Sequence, residues 1–153
     1  MYINAEEYLD DIRRKGNEIK SLRNALSAID KDLEASAITY DPNREHSNVP
    51  RKDGLEELAF KHLERRDRVI KALESAITER SEAIEEAVKY IRQIESDDQK
   101  EVLMLRYIES RSWSEILDIR ECDDIRNQCR LRDRAIESLQ KIIEKEMVLN
   151  NPS

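Results

Sequence analysis

The side chains with the clearest chemical use lie between positions 120 and 134. Arg120, Arg126, Asn127, Gln128, Arg130, Arg132 and Arg134 crowd into one short stretch. Arginine pairs bidentately with guanine, and asparagine and glutamine pair with adenine, so Arg126, Asn127, Gln128 and Arg130 are of the types that read base edges. Arg132 and Arg134 are of the type that holds phosphates. Against these 5 arginines stand 4 carboxylates, Glu121, Asp123, Asp124 and Asp133, so the local field is barely positive. Carboxylates turned toward phosphates weaken binding and leave the remainder sensitive to salt. At the start of a helix the same carboxylates cap and stabilise it.

No second constellation suggests catalysis. Two glycines in the chain leave no room for a Gly-rich phosphate loop, and His46 and His62 stand alone. The adjacent carboxylates Asp10 with Asp11, Glu56 with Glu57, Glu85 with Glu86 and Asp97 with Asp98 diverge by about 100° on a helix and cannot converge on a substrate. Cys122 and Cys129 have neither a second pair nor a flanking histidine, which argues against zinc and against a secreted disulfide framework. Seven residues apart, they read as small buried or half-buried thiols in a reducing cytoplasm. The expectation is a non-enzyme that takes no cofactor and no metal.

Composition decides what must position these groups. Of 153 residues, 40% are charged and 39% hydrophobic, with 2 Gly, 3 Pro and 1 Phe. Turn formers this sparse exclude a sandwich or barrel, and the Ala, Leu, Ile, Glu, Lys and Arg content favours long helices with narrow apolar stripes. The net charge is −7, and no segment is strongly basic: residues 97–153 hold 13 acidic and 10 basic side chains. Non-specific polyanion binding by the whole molecule is therefore not expected, and a nucleic-acid contact has to come from one local face. The N-terminus lacks the features of a signal peptide, and no stretch is apolar over membrane-spanning length. A cytoplasmic protein with no membrane partner is the expectation.

The first element is a helix from about Asn4 to Ala37. Tyr8, Ile12, Lys15, Ile19, Leu22, Leu26, Ile29 and Leu33 are spaced 4-3-4-3-4-3-4, a heptad stripe with one polar interruption. Asn4 with Glu7 resembles a capping box, and Gly16 costs about 1 kcal/mol against Ala in such a helix. Residues 38–54 form a connector holding two prolines, one glycine and His46, which reads as a solvated loop histidine. A second helix runs from about Leu55 to Ile94. Leu63, Ile70, Ile77, Ile84 and Ile91 recur every seven residues, alternating with Ala59, Arg66, Leu73, Arg80, Ala87 and Ile94. Arg66 and Arg80 on the seam suit an antiparallel hairpin, with their stems packed and their heads in water. Leu58, Val69, Ala76 and Val88 are left as an apolar edge for a homodimer.

The pattern changes after residue 95. Ser96, Asp97 and Asp98 open a helix through Val102, Leu103, Leu105, Arg106, Tyr107 and Ile108. Ser112 or Ser114 can cap a short helix over Trp113–Leu117, in which Trp113 anchors the core. Beyond the polar interval 118–124, Ile125, Cys129, Arg132, Ile136, Leu139 and Ile143 mark a last long helix. Three helices, the second short and the third long and arginine-bearing, are the layout of a helix-turn-helix.

Leu103-Met104-Leu105-Arg106-Tyr107-Ile108 followed by Ser112-Trp113-Ser114-Glu115-Ile116 resembles region 4 of sigma factors, and Arg134-Ala135-Ile136-Glu137-Ser138-Leu139 resembles the end of that module. With its helical N-terminus and Pro-containing connector, the chain resembles the phage and prophage regulators of the ArpU type. That family usually has a glycine in the turn before its reading helix, where this sequence has Arg120-Glu121-Cys122-Asp123-Asp124. Without glycine a tight turn at positive φ is strained, which predicts a wider turn or a shorter second helix. The family's apolar mid-helix position falls on Asn127 or Gln128.

The expected fold is all-α: an antiparallel coiled-coil hairpin over 1–95, a helix-turn-helix unit over 96–149 and a tail over 150–153. The resemblance implies a phage-type transcriptional regulator in the cytoplasm of a bacterial host. Such a protein dimerises through its coiled coil and reads double-stranded DNA with the third helix of the C-terminal unit. The rival reading is a non-catalytic adaptor that binds host RNA polymerase or another protein through its acidic surface and coiled coil.

Overall fold

A computed structural model describes residues 3–39 and 52–150. Among them the chain is all-α, with α1 at Ala5–Thr39, α2 at Lys52–Ile91, α3 at Asp97–Leu103, α4 at Trp113–Ile119 and α5 at Ile125–Asn150. A π-helical turn, Met104–Ile108, continues α3. The connector expected over 38–54 contributes its ends to α1 and α2, while its middle, with His46, and most of the expected tail lie outside the described residues. No described helix is long and apolar enough to cross a membrane.

The chain divides into two compact units. One comprises Met1–Asn17 with Glu79–Ser153, and the other Glu18–Thr78. The divisions cross both long helices, rather than falling between residues 95 and 96 as the change of periodicity implied.

In the first unit the core gathers Ala5 and Leu9 of α1, Ile91 of α2 and Ile94 after it. Val102, Leu103, Tyr107, Ala135, Leu139 and Ile143 complete it, all nearly inaccessible to solvent. Burying each large aliphatic side chain contributes about 1.5–3 kcal/mol, and this explains why both ends of the expected hairpin belong here. Polar side chains finish the helix ends. Asn4 Oδ1 accepts from the backbone N–H groups of Glu6 and Glu7, and Gln140 Oε1 accepts from Ala5 N–H at 2.7 Å while its Nε2 donates to Ile3 C=O. The Tyr8 and Tyr90 rings meet edge-on at 6.3 Å, and Arg80 donates to Ile12 C=O, so α1 and α2 run antiparallel in this unit.

Arg80 departs from expectation. Its head does not reach into water but bridges Ile12 C=O at 3.3 Å, Ile108 C=O at 2.6 Å and Ser110 Oγ at 3.4 Å. Ile108 closes the π turn, whose last carbonyls lack helical donors, and the guanidinium supplies one. Gly16 makes this possible, since a Cβ there would stand 2.9 Å from both Arg80 Nε and Ser110 Oγ. The helix-weakening glycine is a clearance for the arginine.

In the second unit α1 keeps its expected stripe: Ile19 is buried, and Leu22, Leu26, Ile29 and Leu33 are half-buried. On α2 the register differs. Leu63 and Ile77 are 54% and 37% exposed, whereas His62 and Val69 are half-buried and Ala76 is buried. Of the column recurring every seven residues, Leu63 and Ile77 are thus turned outward while Ile70 stays half-buried, and Val69 and Ala76, expected on a free edge, lie inward. Both columns are apolar, so periodicity alone cannot choose between them. The small Ala76 suits close helix approach, and Arg66 Nε bonding Asp30 Oδ1 at 2.8 Å ties the two helices.

Candidate nucleic-acid interface

Local sequence explains how α4 and α5 are set. Ser112 Oγ accepts from Glu115 N–H and donates to Glu115 Oε1, each at 3.2 Å, a reciprocal cap at the start of α4. Bonding by Arg111 and then by Ser112 holds the Glu115 carboxyl below its ordinary pKa. The turn after α4 is tight despite lacking glycine. Glu121 takes φ 53, and the N–H groups of Glu121 and Cys122 reach Asp118 C=O and Leu117 C=O at 3.3 and 2.9 Å, a Schellman closure. The expected wider turn is therefore replaced by one strained residue, and α4 runs to Ile119, two residues past the expected Leu117. Asp124 then caps α5, accepting from Arg126 N–H at 2.9 Å.

The seven candidate residues separate into two groups. Arg120 is locked: its side chain is 9% exposed, with Nε on Gln128 Oε1 at 2.9 Å and its terminal nitrogens on Asp98 and Glu101 at 3.1 Å each. Gln128, 5% exposed, occupies the position where the resembled family has an apolar residue, and the Arg120 bond satisfies its oxygen. Neither is free to read a base or grip a phosphate. Arg132 bonds Asp133 at 2.8 Å and lies against Trp113.

Arg126, Asn127, Arg130 and Arg134 are exposed, and among the described residues no carboxylate pairs with these three arginines. At four-residue steps their side chains drift by about 40° per step and cover roughly 12 Å of the first half of α5. Of the four opposing carboxylates, Asp124 is engaged in the cap and Asp133 on Arg132, which leaves Glu121 and Asp123 to counter the stripe. The inward column of α5 also differs from expectation: Ile125 is 46% exposed, and Gln128 and Ala135 lie buried with Leu139 and Ile143.

Two further arginines went unmarked in the sequence. Arg106, in the π turn, lies 4.8 Å from the centre of the Trp113 ring, and Arg132 lies 5.6 Å from it. Trp113 packs against the core as expected and also carries these cations on its ring. Arg13 of α1 is half-buried, with no acceptor for its Nε among the described residues. For Arg106 the sequence signal was a single arginine within an apolar run, which periodicity treats as an interruption, whereas Arg13, followed by Arg14 and Lys15, carried none. Cys122 and Cys129 are free and half-buried. Among the described residues no three His, Cys, Asp or Glu side chains gather closely enough to hold a metal.

Comparison of the chain with protein-family models, with curated proteins and with solved structures finds no match.

Proposed function

We propose that the chain is a DNA-binding transcriptional regulator of the phage ArpU type, acting in a bacterial cytoplasm. It dimerises through α1 and α2 and reads a duplex with the first half of α5. The observation that carries this reading is the stripe Arg126, Arg130 and Arg134, exposed beside Asn127 and free of carboxylate partners among the described residues. Arginine and asparagine in this array offer guanine and adenine contacts along a helix that fits a major groove. The capped α4 and the tight turn at Glu121 support it by fixing the start of α5.

An electrophoretic shift of genomic fragments at low salt tests the proposal. Replacing Arg126 and Arg130 together by Ala should abolish the shift, and equal binding by wild type and double variant removes the reading face. Sedimentation equilibrium checks the dimer, which a concentration-independent monomer mass would rule out. The adaptor reading has one observation in its favour: Phe60 and Leu63 of α2, about 60° apart around the helix, are 61% and 54% exposed, an apolar patch suited to a protein partner. A partner retained from lysate after nuclease treatment would favour it.

A further inference from the structure

The first unit carries a second cationic group. Arg106 from the π turn and Arg132 from α5 share the Trp113 ring, with guanidinium carbons 4.8 and 5.6 Å from its centre. Arg13 comes from α1, one residue after Ile12, whose carbonyl shares Arg80 with the carbonyl of Ile108. This strut sets the Arg13 turn of α1 beside the segment that holds Arg106.

The balance of charge in this group is unfinished. Arg132 Nε and Nη2 bond Asp133, while its Nη1 has no acceptor among the described residues. Among the described residues Arg106 donates only to Arg111 C=O, at 3.2 Å. The Arg13 Nε is buried and donates to nothing among the described residues. Burial lowers the Arg106 pKa, and the positive charge of Arg13 and then of Arg132 lowers it further, partly opposed by Tyr107 and Cys129. Like charges held together with spare donors favour an anion, and a flat aromatic floor orients guanidinium groups for bidentate contact. Arg132 is two residues from both Arg130 and Arg134, so it lies about 160° around α5 from each, away from the reading stripe.

We propose that Arg106 and Arg132, seated on the Trp113 ring, together with Arg13 near Arg106, form a binding site for a phosphate oxyanion. The site does not depend on the DNA reading. Its phosphate can come from a free phosphate or from the backbone of a duplex, and guanidinium recognition of the oxygens is common to both.

Trp113 is the only tryptophan, so its fluorescence reports on this site alone. Wild type and variants are titrated with inorganic phosphate, with short duplex DNA, and with chloride at matched ionic strength. The expected result is a saturable change in emission with phosphate and none with chloride. Arg13→Gln and Arg106→Gln should each weaken it by about tenfold or more, Arg106→Lys should weaken it less, and the surface change Lys141→Gln should leave it intact. If Arg106→Gln lowers the melting temperature strongly, Arg13→Gln decides alone. A response to duplex that phosphate competes away assigns the site to a DNA backbone, and a response to phosphate alone assigns it to a free oxyanion. A duplex shift that survives Arg13→Gln with Trp113 unmoved by either ligand overturns the site and leaves the DNA reading standing. Silence toward both ligands, with no shift in the gel, overturns both.

Discussion

The two compact units share the same two helices and similar heptad spacing, yet they bury very different amounts. In the first unit Leu9, Ile12, Ile91, Val102, Leu103, Ile116, Leu139 and Ile143 are almost wholly inaccessible. In the second, among the described residues, only Ile19 and Ala76 are buried, while Leu63 and Phe60 of α2 stay more than half exposed. A helix pair has one mutual seam, and each helix keeps an apolar flank that its neighbour cannot cover. In the first unit α3, the π turn and α5 cover that flank. In the second unit nothing among the described residues does. The heptad stripe thus specifies a seam, and the burial that yields stability depends on a third layer.

The sharpest way to break this contrast is to truncate one leucine in each unit. Leu139→Ala empties a fully enclosed site in the first unit and should destabilise it by about 2–5 kcal/mol. Leu63→Ala, at a side chain already 54% exposed, should change stability by less than about 1 kcal/mol in a monomer. Amide hydrogen exchange, read separately over residues 97–150 and 55–78, measures each unit on its own. Comparable losses at the two sites would mean that the exposed column of α2 is covered in solution, as the proposed dimer requires.

A smaller effect is expected where the first unit is joined by polar groups. Arg80→Met keeps much of the packed stem but removes the donor to Ile12 and Ile108, which should cost about 1–3 kcal/mol in a denaturant melt. Gly16 makes the test specific. In the wild type Gly16→Ala drives a Cβ against Arg80 Nε and Ser110 Oγ and should destabilise. In the Arg80→Met background the guanidinium no longer crowds the site and the thioether can swing aside, while Ser110 Oγ still stands 2.9 Å from the added Cβ, so the same change should destabilise by less than in the wild type. Additive effects would show that the glycine and the arginine do not share this space.

What was legible in the sequence follows the same division between local and tertiary causes. The stripe of α1, the caps at Asn4, Ser96, Ser112 and Asp124 and the order of the helices rest on residues a few positions apart, where spacing carries the information. The inward column of α2 was not legible, because Ala76 and Ile77 are both apolar and only the opposing helix turns the first inward and the second outward. Arg80 and Arg120 looked alike to periodicity, each a charge in or near an apolar run. One holds carbonyls of α1 and the π turn, and the other is enclosed by Asp98, Glu101 and Gln128. Of the seven candidate readers, the exposed Arg126, Asn127, Arg130 and Arg134 could be separated from the others only once Gln128 was seen to lie inward. The choice of Gln128 rather than Asn127 at the buried position depends on Arg120, eight residues away, across a turn whose form the sequence did not suggest.

That turn offers the finest test of where the first unit is held and where it is strained. Glu121 sits at φ 53, a conformation that costs a side-chain-bearing residue of order 1 kcal/mol or more and costs glycine almost nothing. Glycine gives back part of the gain through the greater entropy of the unfolded chain, about 0.4–1 kcal/mol. Glu121→Gly should therefore stabilise by about 0.5 kcal/mol, slowing amide exchange over α4 and α5 and leaving residues 55–78 unchanged. The substitution also removes one of the two carboxylates that oppose the arginine stripe without a bond of their own, so duplex binding at low salt should strengthen modestly. A more stable unit with unaltered duplex affinity would mean that Glu121 is turned away from the phosphates. A destabilised unit would mean that the left-handed conformation is already relieved by contacts of the Glu121 side chain, and that the turn is no weak point.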